Sequence, residues 1–292
     1  MDYLEEHIIE FKKRHNNRPI QVLAHSMGGV LVMAVVNRNP ELFHSIVFVG
    51  VPFGSGIGYL RDLHLGQGLG LNSKAFNKDV LFSFPSSFWT FPHDGEKIDH
   101  YCGLFEYDEK RIWAKGSHVT DHASLGVAAK IFNRTPPAPD EIPSTEKWGF
   151  ERTKIDFYNA DDWIKYELGI FNHKNGKFVT EREKNHLQSS LNRGKLFRRM
   201  IQYDVSVNYP PITVVSGNKY PTQIAIIRNG PQAHKGGLDF ESAPKVIGDG
   251  RIPYMCSFPD SRIVYKTVDS DLHHQELLSD ISLYSELLSE LL

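Results

Sequence analysis

The amino-acid sequence predicts an α/β fold with a mainly parallel sheet. Apolar strand-like segments alternate with helical segments along much of the chain, and one short strand passes directly into a helix through a small-residue turn around Ser26. Such alternation is typical of parallel sheets, because each parallel connection needs a crossover. The chain has 292 residues, 40% of them hydrophobic and 23% charged. This composition excludes disordered and fibrous classes and suits one domain with insertions.

The chain is predicted to open with an amphipathic helix. Leu4, Ile8, Ile9 and Phe11 recur at helical spacing until residues 16–19, with the sequence Asn-Asn-Arg-Pro, interrupt the pattern. The segments that follow are predicted as a strand at 20–23, a helix at 29–36 and a strand at 46–49.

The turn Ala24-His25-Ser26-Met27-Gly28-Gly29 has the pattern by which α/β-hydrolases present a nucleophilic serine. Ala24 and Gly28 are the small neighbours that a strained turn between strand and helix is expected to need. The following helix would direct its N-terminal amides at a developing oxyanion, and the Met27 amide is the first such donor. We therefore predict Ser26 as a nucleophile; the alternative is a serine in an ordinary strand-to-helix turn.

A long irregular region is predicted from about residue 57 to 143. It contains an aromatic run at 82–91 and a proline-rich break at 135–139. A region of this length over an active site suggests an inserted cap. We therefore predict a single α/β-hydrolase-like domain over 1–292, with a cap at about 57–210. The aromatic side chains have an alternative role in the cap's own core.

Regular periodicity returns in the last third of the chain. The predicted elements are a helix around 187–203, a strand at 212–216, a strand-like run at 223–227, a last strand at 262–267 and a closing helix at 276–292.

The general base is predicted near the start of the closing helix. In hydrolases of this kind the order along the chain is serine, acid, histidine. His273 and His274 both follow the last predicted strand. We favour His274, because a helical sequence begins directly after it, and leave His273 as the alternative.

The acid is predicted in the turn Gly248-Asp249-Gly250, which follows strand-like sequence. The alternative for Asp249 is a plain Asp-Gly turn. Asp269 and Asp271 are other candidates, but they lie on the same predicted loop as the histidine. From that loop a carboxylate would need an unusual geometry to reach the far ring nitrogen.

Nothing in the composition predicts a nucleic-acid, metal or cofactor partner. The formal charge is −2, and the one basic cluster, at 193–199, is interpreted as the polar face of a helix. His118 and His122 are spaced i, i+4, but a hydrogen-bonded pair is favoured over zinc. Cys102 and Cys256 have no metal-type spacing and do not imply a disulfide framework.

The N-terminal residues are acidic and lack the features of a secretory signal, and no segment approaches the roughly 20 apolar residues of a membrane span. As written, the chain is therefore expected in the cytoplasm.

Four motifs together resemble the lecithin:cholesterol acyltransferase family. The resemblance covers about residues 18–90 and, more loosely, 150–280. The motifs are Ala24-His25-Ser26-Met27-Gly28-Gly29, Gly50-Val51-Pro52-Phe53-Gly54-Ser55-Gly56, Ser83-Phe84-Pro85-Ser86-Ser87 and Gly248-Asp249-Gly250-Arg251-Ile252-Pro253.

Members of that family are α/β-hydrolases that move fatty acyl groups from phospholipids to sterol, diacylglycerol or water. The resemblance therefore implies a lipid O-acyltransferase or phospholipase, with phospholipid or another lipid ester as substrate and possible peripheral contact with a membrane. Ser26 would form the acyl-enzyme, His274 would carry the proton and Asp249 would hold the imidazole.

Three aromatic residues are implied as an acyl-facing wall: Phe84, Phe88 and Trp89.

The sequence departs from the family pattern at two places. Arg251 and Ile252 stand where the family usually has Thr and Val. The family's N-terminal portion, with its early strands, a second oxyanion donor and a lid, has no counterpart. We therefore expect a fold without the usual N-terminal strands, as in a truncated family member whose full-length form is secreted or membrane-associated. The alternative function is a non-catalytic hydrolase-like protein or binding module.

Overall fold

The computed structural model describes residues 2–69, 72–92, 102–107, 151–173 and 179–290. The chain divides into two compact units. The first unit contains Met1–Gly54, Arg199–Pro221 and Ile247–Leu292, and the second contains Ser55–Arg198 and Thr222–Val246. The cap boundaries given above, about 57–210, stay a prediction.

A four-stranded parallel sheet forms the centre of the first unit, which confirms the predicted α/β class. Its order is β1-β2-β7-β12, and each neighbouring pair is parallel. The two inner strands are almost wholly buried, whereas the two outer ones alternate or are exposed. This difference follows from the sequences, since the inner strands are nearly continuous apolar runs. The strands are β1 (Ile20–His25), β2 (Phe43–Val49), β7 (Ile212–Gly217) and β12 (Lys266–Ser270).

The described part of the first unit contains three α-helices: α1 (Asp2–Arg14), α2 (Met27–Val36) and α7 (Ile281–Glu290). Helix α1 has acidic residues in its first turn and basic ones in its last, as the helix dipole favours, and it buries Ile8. Helix α2 is apolar around most of its circumference and correspondingly buried.

The segment after β12 packs back on the sheet. Leu277, Tyr284 and Leu287 form one buried cluster with Val47, Val49 and Val215. Burial of apolar side chains contributes roughly 1.5–3 kcal/mol each. This cluster therefore anchors the chain that follows the predicted base.

Several predicted boundaries are wrong near the C-terminus. The last strand begins at Lys266 rather than at 262, because Asp260 accepts hydrogen bonds from both the amide and the guanidinium of Arg262 and holds a turn there. The closing helix begins at Ile281 rather than at 276. A separate 3-10 helix at Leu277–Ser279 precedes it, and Asp280 accepts from the amide of Leu283 at 3.0 Å, as in N-terminal capping.

The second unit contains a mixed sheet of order β10-β9-β5-β6 and a separate β3-β4 pair. The predicted irregular region therefore holds regular elements in its described part. The strands are β3 (Gln67–Leu69), β4 (Asn72–Phe76), β5 (Gly103–Glu106), β6 (Glu151–Arg152), β9 (Ala225–Arg228) and β10 (Leu238–Asp239); the helices are α3 (Tyr59–Leu65), α4 (Lys78–Ser83), α5 (Ala160–Lys165) and α6 (Glu181–Met200).

The strand-like run predicted at 223–227 is two strands, β8 (Tyr220–Gln223) and β9. Strand β8 pairs with β11 (Lys245–Gly248).

Helix α6 begins six residues before the predicted start at 187. Thr180 and Glu183 form a capping box, in which the Glu183 amide donates to Thr180 Oγ1 at 3.2 Å and the Thr180 amide donates to Glu183 Oε2 at 2.9 Å. The basic cluster at 193–199 lies on this helix. Its interpretation as a polar face is wrong for Arg198, which is buried and donates to Ser55 Oγ at 3.2 Å.

The two glycines after Ser26 have different surroundings. A Cβ at Gly28 would meet no heavy atom within 4 Å, so the expectation that crowding requires a small residue there is wrong. A Cβ at Gly29 would overlap the buried side chain of Val51. Close packing between helix α2 and the chain after β2 therefore depends on Gly29.

We expect Gly29→Ala to lower the free energy of unfolding by about 1–3 kcal/mol, because a stiff, buried valine would have to move. Gly28→Ala serves as the matched control and is expected to raise stability by up to about 1 kcal/mol through helix propensity. Urea unfolding measures both. Equal stabilities for the two variants would contradict the assignment of the close contact to Gly29.

Candidate active site

Ser26 occupies a strained position between β1 and α2. Its φ of 54° and ψ of −131° lie in a region that residues with a side chain rarely adopt. Two backbone hydrogen bonds hold the turn: the Ser26 amide donates to Val49 O at 2.9 Å, and the Gly29 amide donates to Ser26 O at 3.0 Å. The neighbouring strand and the new helix together maintain this backbone and present the hydroxyl.

The imidazole of His274 lies between Ser26 and Asp249. Its Nε2 is 3.0 Å from Ser26 Oγ, and its Nδ1 is 2.7 Å from Asp249 Oδ2. With Nδ1–H donating to the carboxylate, Nε2 is left to accept the serine hydroxyl proton. The structure thus brings together the three residues predicted as nucleophile, base and acid, although Ser26 lies 248 positions before His274 in the chain.

The carboxylate of Asp249 is buried, with 1% of the residue exposed, and is held by backbone amides. Oδ1 accepts from the amides of Arg251 at 2.8 Å and Ile252 at 2.6 Å, while Oδ2 faces His274. The departures at 251 and 252 therefore leave this support in place, because it comes from the backbone. The Asp249 carbonyl also accepts from the His274 amide at 2.8 Å.

Room for the Asp249–His274 pair comes from two glycines. A Cβ at Gly50, where φ is +54°, would lie 3.2 Å from both Asp249 Oδ2 and His274 Nδ1. A Cβ at Gly217 would come within 3.0 Å of the Asp249 Cα. Gly50 directly follows β2 and Gly217 is the last residue of β7, so the ends of these strands shape the acid site.

The alternative base, His273, points to different neighbours. Its ring stands edge-on to Tyr220, with 5.2 Å between ring centroids, and it packs on Gly250. The hydrogen bonds to the serine and to the carboxylate are made by His274. The structure therefore favours His274, which lies in a turn rather than at the start of the closing helix.

The alternative acids have other partners. Asp269 belongs to strand β12 and accepts from the hydroxyl of Tyr254 at 2.8 Å. Burial and this carboxylate raise the pKa of Tyr254, which keeps the phenol protonated as a donor. Asp271 forms a surface ion pair with Lys219 at 2.9 Å.

Met27 is the first residue of helix α2. The amides of the first helical turn have no acceptor within the helix, and they carry the positive end of the dipole. The Met27 N–H therefore suits the predicted oxyanion donor. Its side chain is 45% exposed, an apolar surface beside Ser26.

The three predicted acyl-wall residues have different environments in the second unit. Phe88 is fully buried, packed edge-on to Phe82 and Trp163, and Trp89 is buried against Phe197. This burial favours the alternative of a structural core for both. Phe84 is 44% exposed. An acyl-facing role for the three stays a prediction.

His118 and His122 lie outside the described residues. Within the described ranges, no group of three or more His, Cys, Asp and Glu side chains is arranged to hold a metal ion. Over the same ranges, no helix combines the length and the apolar character needed to cross a bilayer. Cys102 and Cys256 are buried thiols.

Sequence reasoning missed His25, Gly50 and Gly217 as parts of the site. His25 Nε2 lies 3.0 Å from the carbonyl oxygen of His274, and the two rings are 4.8 Å apart. Burial, followed by the proximity of His274, lowers the pKa of His25 and so favours its neutral ring. Its position next to Ser26 was the one local signal, whereas the roles of the glycines depend on contacts between distant parts of the chain.

The parallel sheet, the strained serine turn at the start of a helix and the hydrogen-bonded serine, histidine and aspartate define the class. The chain has the α/β-hydrolase fold.

Comparisons with known proteins agree with this class. Residues 1–68 match the family described as serine aminopeptidase, S33. The chain is 25% identical over 299 residues to the Saccharomyces cerevisiae protein named "Uncharacterized protein YJR098C", covering 93% of this chain and 43% of the relative. In the Tle4–Tli4 complex, a chain aligns with a TM-score of 0.56 at 12% identity, covering 96% of this chain and 62% of that one. The chain thus spans less than two thirds of the length of either of these two proteins.

We expect Ser26→Gly to be about 1 kcal/mol more stable than Ser26→Ala. Glycine relieves backbone strain of order 1–3 kcal/mol, and its greater loss of chain entropy offsets roughly 0.5–1 kcal/mol of that gain. Both variants lack the hydroxyl, so the comparison isolates the backbone. Urea denaturation measures the difference, and an alanine variant as stable as the glycine one would contradict strain at Ser26.

Proposed function

We propose that this chain carries the catalytic core of a serine-dependent lipid O-acyltransferase or phospholipase. One observation carries the proposal: the continuous hydrogen-bonded chain from Ser26 Oγ through the His274 ring to the buried Asp249 carboxylate. This arrangement is the one by which a weak hydroxyl nucleophile is activated. The match to a serine aminopeptidase family over residues 1–68 supports a serine hydrolase type of enzyme.

In the proposed reaction, Ser26 Oγ attacks the carbonyl carbon of an acyl ester while its proton moves to His274 Nε2. The tetrahedral intermediate collapses as the bond to the leaving oxygen breaks, and His274 returns the proton to that oxygen. Water or an alcohol then attacks the acyl carbon and loses its proton to His274 Nε2. As this second intermediate collapses, the bond from the acyl carbon to Ser26 Oγ breaks, and His274 returns the proton to Oγ, which regenerates the serine and the neutral base. Asp249 stabilises the imidazolium in both halves and fixes the ring orientation.

The oxyanion of each intermediate is proposed to accept a hydrogen bond from the Met27 amide. The amide is oriented by helix α2, so little reorganisation is needed as charge develops. One donor of this type typically changes the rate by about 10²- to 10³-fold.

Two features support a lipid acyl ester as the substrate. The four motifs that resemble the lecithin:cholesterol acyltransferase family include the serine turn and the Asp249 turn, both of which contribute to the site. The exposed side chain of Met27 gives the serine an apolar neighbour suited to an acyl chain. We propose phospholipid at a membrane surface as the donor, with water, sterol or diacylglycerol as the acceptor.

We expect a fluorophosphonate probe to label the chain on Ser26. Ser26→Ala and His274→Ala should abolish labelling, and Asp249→Asn should slow it by up to about 10⁴-fold, since the imidazole would lose its correct tautomer. Intact mass and peptide mapping locate the adduct. Ser261→Ala, at an exposed serine of the same unit, is the matched control.

Folded protein that stays unlabelled would contradict the catalytic proposal and favour a non-catalytic binding module. Circular dichroism and urea unfolding of each variant establish that it is folded. Labelling that persists in Ser26→Ala would instead point to a different nucleophile.

We expect hydrolysis or transfer of labelled acyl chains from phosphatidylcholine vesicles, with and without diacylglycerol or sterol. Chromatography separates free fatty acid from acylated acceptor, because the two products report water and alcohol attack respectively. Ser26→Ala should lose both. An aminoacyl p-nitroanilide tests the peptide alternative, and turnover of that substrate alone would overturn the lipid class while retaining a serine hydrolase.

A further inference from the structure

The backbone of the proposed base is fixed on both sides. The amide of His274 donates to the Asp249 carbonyl at 2.8 Å, and the carbonyl of His274 faces His25 Nε2 at 3.0 Å. The first contact joins the base to the acid's own turn. The second joins the base to the residue that directly precedes the nucleophile.

His25 connects the strand end that holds the nucleophile with the loop that holds the base. It is the last residue of β1, and its backbone pairs in register with Val49 of β2, whose carbonyl also accepts the Ser26 amide. Its ring lies beside the His274 ring, with 4.8 Å between centroids and a tilt of 36°. The side chain that reaches the base loop is therefore attached to the same rigid strand end that orients Ser26 Oγ.

We infer that His25 is a positioning residue: its Nε2–H donates to the carbonyl of His274 and thereby sets the distance between Ser26 Oγ and His274 Nε2. The inference rests on the proposed function, in which that distance governs proton transfer. Misplacement of reacting groups by about 1 Å can cost up to 10²-fold in rate. Loss of the hydrogen bond should therefore affect the chemical step more than substrate binding.

A neutral His25 ring suits this role. A neutral ring protonated on Nε2 donates to a carbonyl without placing a second positive charge beside the imidazolium that forms on His274 during the reaction. Burial, together with the nearby His274, lowers the pKa of His25 and so favours that neutral form.

Two substitutions separate the hydrogen bond from ring packing. His25→Gln retains a side-chain N–H donor at a similar reach from the backbone but lacks the ring. His25→Phe retains an aromatic ring beside His274 but lacks the donor. His44→Gln, at an exposed histidine of the adjacent strand β2, controls for the loss of a histidine.

The experiment measures kcat and KM with a soluble p-nitrophenyl acyl ester, together with urea unfolding of each variant. We expect His25→Phe to lower kcat by about tenfold with KM changed less than about twofold, and His25→Gln to retain kcat within about threefold. The His44→Gln control should match the wild type. Histidine ¹⁵N spectra should assign an Nε2–H tautomer to the signals that disappear in His25→Gln.

Each outcome decides a different question. If wild-type protein turns over the ester but His25→Phe has an unchanged kcat, the positioning role is overturned and the proposed function remains. Equal losses of kcat in His25→Gln and His25→Phe, each accompanied by a matching loss of stability, also overturn the positioning role, since ring packing alone would then explain both. If the spectra assign an Nδ1–H tautomer to His25, the proposed Nε2–H donor is absent and the positioning role is overturned. Folded wild-type protein that neither reacts with the fluorophosphonate nor turns over the ester overturns the proposed function, and the positioning role with it.

Discussion

The hydrogen bond between the buried Asp249 carboxylate and the His274 ring is the interaction that constrains the surrounding structure most strongly. A buried carboxylate is costly unless its oxygens are satisfied. Here the amides of Arg251 and Ile252 and the His274 ring provide that satisfaction. The turn at Asp249 must therefore keep one backbone conformation. The neighbouring strand ends must also leave space for the Asp249–His274 pair, and Gly50 and Gly217 provide this space because they have no side chain.

The sequence predicted the parts of the site that have local signatures. Ser26 is identified by its small-residue turn, and Asp249 and His274 by their order along the chain, since each motif depends on a few adjacent residues. His25, Gly50 and Gly217 could not be predicted in the same way. Their importance depends on atoms that approach from other strands, and no nearby residue encodes those approaches. The error at Gly28 has the same origin, because the crowded position is set by Val51.

The fold shows a similar division between local and long-range information. The inner strands β2 and β7 contain apolar runs, and these runs predicted both strands and their place in the order of elements. Boundaries were less predictable where a polar side chain competes for the backbone. Asp260 moves the start of β12, and Asp280 moves the start of α7. The capping box of Thr180 and Glu183 was a readable signal for the start of α6, through its Thr-x-x-Glu spacing.

The parallel sheet explains how residues so distant in sequence can meet. Parallel strands all present their carboxyl ends at one edge, and chains that leave this edge can converge there. Ser26 follows β1, Gly50 follows β2 and Gly217 is the last residue of β7, while His274 lies four residues beyond β12. The sheet thus positions the turns that follow its strands, and hydrogen bonds to the backbone of His274 position the base relative to those turns. The contact between His25 and the His274 carbonyl links the sheet to the base loop. His25 ends β1, whereas His274 lies four residues after β12, so the contact attaches this loop directly to a strand end.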